Sequence, residues 1–174
     1  MNALTHSTLY KQTTLKFDLT YRLAEKSDLP KLEWMGEYAH FRNVFQYTYE
    51  EQKIGKRLML VADFNGFPIG QIFVLVKDFW DEEHGYLYSL RVMEPFQGMG
   101  IGTELIRQAE VIMREHRLDF ATIAVARNNP KARRLYERLG YKVYAEDEGR
   151  WSYVDHAGTL IDVHEPCWML EKEL

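Results

Sequence analysis

Apolar and polar residues alternate in short runs through the first half of the chain and shift to three- and four-residue spacing near its middle. The alternating run "LTYRLA" predicts a strand, and Ser27 or Asp28 followed by Pro30 predicts the opening of a helix carrying Leu32 and Met35. Residues 36–57 are rich in aromatics without a clean period, which predicts a short helix and loops. "RLMLVAD" and "PIGQIFVLVKDFW" read as strands, and the Asn65-Gly66 pair between them is a hairpin turn signal. "DEEHG" turns the chain into a further run, "YLYSLRVM", so an antiparallel meander is expected.

The period then changes. Leu105, Ile106, Ala109, Ile112 and Met113 fall on one face of a helix of about three turns, and Glu104, Arg107, Glu110 and Arg114 on the other. "FATIAVA" predicts a strand, and "NNPKARRLYERLG" a helix capped by Asn129, started at Pro130 and stopped at Gly140. Two last strands, "YKVYAED" and "PCWMLEKEL", flank an irregular "GRWSYVDHAGTLIDVHE". The fold class is α/β (α+β), a mixed, mostly antiparallel central sheet with flanking helices. No repeat or linker divides the chain, so residues 20–174 are expected to form a single domain and residues 1–19 an N-terminal extension.

Composition narrows the function. The 174 residues carry a formal net charge of -4, which argues against a nucleic-acid partner, and no apolar run approaches the roughly 18 residues of a membrane span. Cys167 is alone, so no internal disulfide is expected, and no His/Cys cluster has metal-ligand spacing; a cytoplasmic protein without a metal fits.

Candidate chemistry gathers at "QGMGIGTELI", where Gly98, Gly100 and Gly102 precede a helix. A strand ending at a helix start exposes unpaired amides beside the positive end of the helix dipole, and missing Cβ atoms let an anion approach them. The guest expected is phosphate, with Gln97 adding a side-chain donor and Thr103 a hydroxyl. Gly102 is followed by Thr103 and Glu104 rather than Lys and Ser/Thr, which excludes a Walker loop. The G-x-G-x-G spacing departs from a dinucleotide fingerprint, and Asp119 precedes its strand instead of ending it.

The segment Gln97-Gly98-Met99-Gly100-Ile101-Gly102 resembles the Q/R-x-x-G-x-G/A signature of the GNAT superfamily of N-acetyltransferases. "LRVMEPF" looks like that family's fourth strand and the turn after it. "NNPKARRLYERLGYKV" is similar to its Asn-then-Tyr helix, and "YRLAEKSDLPKLEWM" to its first strand and helix. The resemblance implies acetyl-CoA as cosubstrate, with its pyrophosphate on the amides of residues 97–103. The pantetheine arm would lie beside Leu90, Arg91 and Val92, and Asn129 would be a further contact. It implies that Tyr136 protonates the departing thiolate, a role suited to a phenol.

The Glu that ribosomal-protein acetyltransferases carry in the strand before that Asn is Ala124 here, leaving His84, Tyr86, Tyr88 or water as candidate bases. The acceptor is expected to be a primary amine, of a small molecule or a peptide, in a cleft made by residues 30–57 and the final loop. Trp34, Tyr38, Phe41, Phe45, Tyr47 and Tyr49 are candidates for its wall or for core. Eight acidic residues against Arg150 and Lys172 after residue 145 favour a cationic acceptor. A homodimer is compatible with this reading. The rival from another class is a catalytically silent acyl-CoA-binding sensor.

Overall fold

The computed structural model describes residues 13, 14, 16–78 and 81–174. The proposed extension therefore lies largely outside the described residues, as do Phe79 and Trp80 at the end of "PIGQIFVLVKDFW". Of the first nineteen positions, Phe17 sets its ring edge-on to Phe64 and Phe96, and Leu19 packs on the core.

Strand β1 (Thr20–Leu23) leads into three short 3-10 turns and then α1 (Arg42–Lys53). β2 (Arg57–Phe64), β3 (Phe67–Leu75) and β4 (His84–Val92) form the expected meander. Asn65 and Gly66 both take positive φ, +51° and +82°, the conformation a two-residue hairpin loop requires. α2 (Ile101–Glu115) crosses to β5 (Phe120–Ala126), followed by α3 (Pro130–Arg138), β6 (Lys142–Asp147), β7 (Arg150–Val154), β8 (Leu160–His164) and β9 (Cys167–Glu173). The main sheet runs β1-β2-β3-β4-β5-β9-β6, and only the β4–β5 pair is parallel. The expected mixed, mostly antiparallel sheet is present.

Central strands β2 and β3 are buried on both faces, and alternation sorts their side chains. Leu60, Ala62, Ile72 and Val74 join Leu105, Ile106 and Ala109 of α2, while Met59, Val61 and Phe73 join Leu32 and Phe45 on the α1 face. The sheet thus separates two cores.

Four expectations are corrected. The helix through Leu32 and Met35 is broken, because Trp34 and Met35 take left-handed φ of +41° and +57°. Leu32 and Trp34 are buried, Trp34 donating Nε1–H to the Pro68 carbonyl at 2.9 Å, and Met35 faces solvent. Helix α1 spans 12 residues, longer than the short helix predicted, and residues 150–164 form a β7–β8 hairpin instead of an irregular link. Glu110 is not on a solvated face: it is buried, accepting from the Tyr141 hydroxyl at 3.0 Å and from Lys172 Nζ at 2.7 Å.

The N-terminal turns are tied down by charge. Buried Asp28 accepts from Arg22 at 2.6 Å and from the Glu25 amide at 2.8 Å. Burial alone would raise its pKa, but those hydrogen bonds and the Arg22 and Lys31 charges leave it below the ordinary value. A depressed carboxylate stabilises the fold above its unfolded pKa, and that contribution is lost as pH falls through the folded one. Asp28→Asn should cost about 2 kcal/mol at neutral pH, discounted because Arg22 is partly exposed. Urea melts at pH 7 and pH 3 check this, since the difference between variant and wild type should shrink at the lower pH.

Candidate active site

β4 and β5 pair only from His84↔Phe120 to Leu87↔Ile123, yet β4 continues to Val92 and β5 to Ala126. The strands therefore part beyond Leu87, leaving one backbone edge of β4 without a partner strand along residues 88–92. A β-bulge sharpens the parting: Gln71 faces Arg91 and Phe73 faces Tyr88, so Ser89 and Leu90 together oppose Ile72. Ser89 takes φ +54°, and its carbonyl accepts from Gln71 Nε2 at 3.4 Å. Leu90 and Val92 turn toward the α2 core, and Arg91 turns to the opposite face.

Beyond the end of β4 the chain enters the glycine loop. Gly98 and Gly100 have φ of +79° and +85°, and a Cβ built on either meets no protein atom within 4 Å. Their backbone thus requires glycine, while the space above them belongs to no part of the described protein. Gly102 differs: it lies inside α2, where a Cβ would make ordinary contact with Val92 and Leu135. Among the described residues the amides of Gly98, Met99 and Gly100 have no hydrogen-bond partner, and those of Ile101, Gly102 and Thr103 open the first turn of α2. Ile101 is buried and anchors the loop, while Met99 is exposed.

One of the two side-chain N–H groups of Gln97 is already engaged. Its Nε2 donates to the Val92 carbonyl at 3.0 Å, and its Oε1 accepts from Lys131 Nζ at 3.2 Å. Lys131 is thereby the member of the basic set on α3 that stands at the loop; Arg133 pairs with Glu137 and lies over Trp168. Asn129 caps α3, its Oδ1 accepting from the Ala132 amide at 3.0 Å, with its side chain exposed.

Tyr136 is 6 % exposed, packs edge-on to Tyr141, and has no hydrogen bond to its hydroxyl among the described residues. Burial, with a smaller push from Tyr86, raises its pKa to about 12. The phenol is held protonated.

A cavity of about 990 Å³ reaches the parted edge from the α1 side. Its walls come from α1, β4, β5, β9 and the β7–β8 hairpin, which leans over it. Phe41 lies 4.9 Å from the Tyr153 ring, and Asn43 donates to the Asp155 carbonyl at 2.5 Å. Phe41, Phe45 and Tyr47 line the cavity as wall candidates; Trp34, Tyr38 and Tyr49 do not. Tyr86, Tyr88 and Ala124 line it too. Burial pushes the Tyr86 phenol to about 12, and the Tyr88 hydroxyl accepts from Arg57 Nη1 at 3.1 Å.

His84 is remote from the cavity. It stacks on Phe120 and bridges Asp81 at 2.9 Å and Glu171 at 3.1 Å. Burial would lower its pKa, but the two carboxylates outweigh that and raise it, which suits a structural cation better than a base.

Three cavity residues were not singled out as site candidates from the sequence: Trp151, Tyr153 and Cys167. The alternations "RWSYV" and "LIDVH" on either side of the turn-forming "DHAG" were the signal for the hairpin. Of the eight acidic residues after position 145, Asp147 and Glu165 line the cavity, whereas Glu146, Glu148 and Glu171 pair with Arg127, His164 and His84. No group of three or more metal-ligating side chains occurs among the described residues, and no helix is long and apolar enough to cross a membrane.

The parted sheet edge, the open glycine loop and a buried phenol coupled to Tyr86 of β4 thus belong to one region of the fold. The chain belongs to the acetyltransferase (GNAT) family, whose model matches residues 24–141. It is 29% identical over 99 residues to the N-terminal acetyltransferase A complex catalytic subunit NAA10 of Arabidopsis thaliana, covering 56% of this chain and 52% of that one. An uncharacterized N-acetyltransferase of Archaeoglobus fulgidus is 29% identical over 133 residues, 66% of this chain and 87% of its own. The chain spans about half the length of the first curated relatives it matches. A solved acetyltransferase from Salmonella typhimurium with its cofactor acetyl-CoA superposes with a TM-score of 0.68 at 19% identity, covering 90% of this chain and 94% of that one. That likeness is one of fold.

Proposed function

We propose that residues 20–174 act as one acetyl-CoA-dependent N-acetyltransferase domain that acylates a primary amine by direct attack. The observation that carries this is the unpartnered β4 edge, which leads into the open glycine loop, with the Tyr136 phenol coupled to Tyr86 of the same strand. The residues suit the cosubstrate: amides of residues 98–103 face space that a pyrophosphate fills, with Lys131 beside it, and residues 88–92 offer a strand edge to an amide-bearing arm. Asn129, already a cap, has its Nδ2 left for a further contact. Acetyl-CoA supplies an activated acyl group.

The chain's own residues do the rest. Amides near the Ser89 bulge are aimed out of the ladder and orient a carbonyl, the kind of fixed donor that stabilises developing negative charge. Tyr136 Oη, protonated and unpartnered, donates its proton to the leaving sulfur. Ala124 brings no carboxylate, so the amine loses its proton through cavity water held by the Tyr86 and Tyr88 phenols, with Asp147 and Glu165 on the same wall. Cys167 also lines the cavity, but burial, with the nearby Asp147 and Glu165 charges, pushes its thiol pKa up, which disfavours an acylated cysteine and supports direct transfer.

The test is thermal melting followed by CoA release. Acetyl-CoA at a hundred times its Kd should add about 2.7 kcal/mol of apparent stability, and NAD or ATP at equal concentration should add none. A panel of amines and peptides should then release CoA in an amine-dependent manner. A melting shift with NAD instead of acetyl-CoA overturns the ligand assignment, and a shift with acetyl-CoA but no turnover on any amine favours a sensor.

A further inference from the structure

Among the described residues, the cavity wall holds an arginine with an unsatisfied donor. Arg91 lines the cavity, yet its Nη1 is fully buried and has no hydrogen-bond partner. The guanidinium is fixed in place, lying 4.6 Å from the Tyr38 ring centroid and 4.7 Å from that of Phe41. Burial lowers its pKa, opposed by the Tyr38 and Glu37 charges, but an arginine stays protonated at neutral pH. A half-buried guanidinium with a buried donor unsatisfied, and only the Tyr38 and Glu37 charges acting on it without a hydrogen bond, points to an anion that arrives from outside.

The other two cavity arginines make the contrast. Arg57 is matched inside the protein, by Glu51 and the Tyr88 hydroxyl, and Arg150 is exposed to water. Nor does the phosphate site account for Arg91. The glycine loop lies outside the cavity, and the side chains of Leu90 and Val92 on the loop side of β4 turn away from it. The carboxylates of Asp147 and Glu165 line the same cavity and suit an ammonium. Trp151 stacks on Tyr153 at 5.4 Å, and Phe41 on Trp151 at 6.4 Å, forming an apolar rim.

We infer that the acceptor is an amine that also carries a carboxylate, an amino-acid-type molecule whose carboxylate pairs with Arg91. This rests on the acetyltransferase reading and narrows its substrate. The acidic residues near the chain's end are thereby matched to the acceptor's ammonium alone, and the whole acceptor is zwitterionic instead of cationic. A planar fork of donors suits a carboxylate, and the loss of one charged hydrogen bond of this kind changes affinity by about 10- to 100-fold.

The experiment uses the full chain, acetyl-CoA, and matched acceptors: L-α-amino acids, β-alanine and 4-aminobutyrate, each against its carboxamide, with simple alkylamines and short peptide amides alongside. The best carboxylate-bearing acceptor should exceed its carboxamide by about 10- to 100-fold in kcat/KM. In Arg91→Met that ratio should collapse toward unity, and in Arg91→Lys an intermediate ratio should survive, with a cooperative melt reporting that each variant is folded and the acetyl-CoA melting shift that it still binds the cosubstrate. Carboxamides, alkylamines or peptide amides used as well as the acids by the wild type overturn the inference and leave acetyl transfer standing. So does a ratio that persists in Arg91→Met, or a folded Arg91→Met that has lost acetyl-CoA binding, which assigns the cation to the cosubstrate. CoA release with no amine at all overturns the transferase reading itself, and the inference with it. The wild-type comparison decides even where a variant fails to fold.

Discussion

Tyr136→Phe should hold acetyl-CoA affinity within a few-fold of wild type while turnover falls by about 100-fold or more, the contribution of one placed acid. The substitution removes an oxygen and almost no volume, so the ring still packs edge-on to Tyr141 and the core is undisturbed. The hydroxyl makes no hydrogen bond to the described protein, so its loss strands no partner. Its pKa near 12 keeps the proton in place across the working range, and the leaving thiolate is what would take it. Titration calorimetry with acetyl-CoA and steady-state CoA release measure the two quantities separately. A Phe variant as active as wild type removes Tyr136 from the mechanism and passes the proton to water.

Gly100→Val should weaken acetyl-CoA binding by roughly 100-fold while the protein stays folded, the equivalent of one or two charged hydrogen bonds. Two effects act together. A β-branched residue is strained at φ +85°, and its Cβ enters space that is open in the protein and flanked by unpartnered amides. The described protein has no atom within 4 Å to be displaced, so packing barely changes. Gly102→Ala, inside the helix with ordinary contacts waiting, should be far milder. Calorimetry checks both, and undiminished affinity in a folded Gly100→Val would mean that the glycine serves the turn alone.

What the sequence made legible was what local chemistry dictates. Asn65-Gly66 announced its hairpin because few other pairs tolerate two successive positive φ values. Asn129, Pro130 and Gly140 marked α3 at both ends, and the glycine loop declared an open backbone. What escaped was set by partners distant in the chain. Trp34 and Met35 sit in left-handed conformations that propensity disfavours, held there in part by a hydrogen bond from Trp34 to Pro68. Glu110 reads as a solvated helix face until Tyr141 and Lys172 arrive from elsewhere to satisfy it. Arg91 was noticed for its backbone, and only the folded wall shows that its Nη1 has no hydrogen-bond partner among the described residues. Charge summed over the final segment is a coarse guide in the same way, because Glu146, Glu148 and Glu171 lie against Arg127, His164 and His84 while Asp147 and Glu165 line the cavity.

The parting of β4 from β5 also has a mechanical side. The main sheet is two half-sheets, β1 to β4 and β5 with β9 and β6, joined along a ladder of four residue pairs and by the α2 crossover above it. Such a joint is a hinge line. A guest lying in the parting splints it, and the same guest presses on the first turn of α2, the segment that carries the chain from one half to the other. Under the proposed function the cosubstrate would be that splint, and the stiffness of the joint between the two half-sheets would follow the occupancy of one groove.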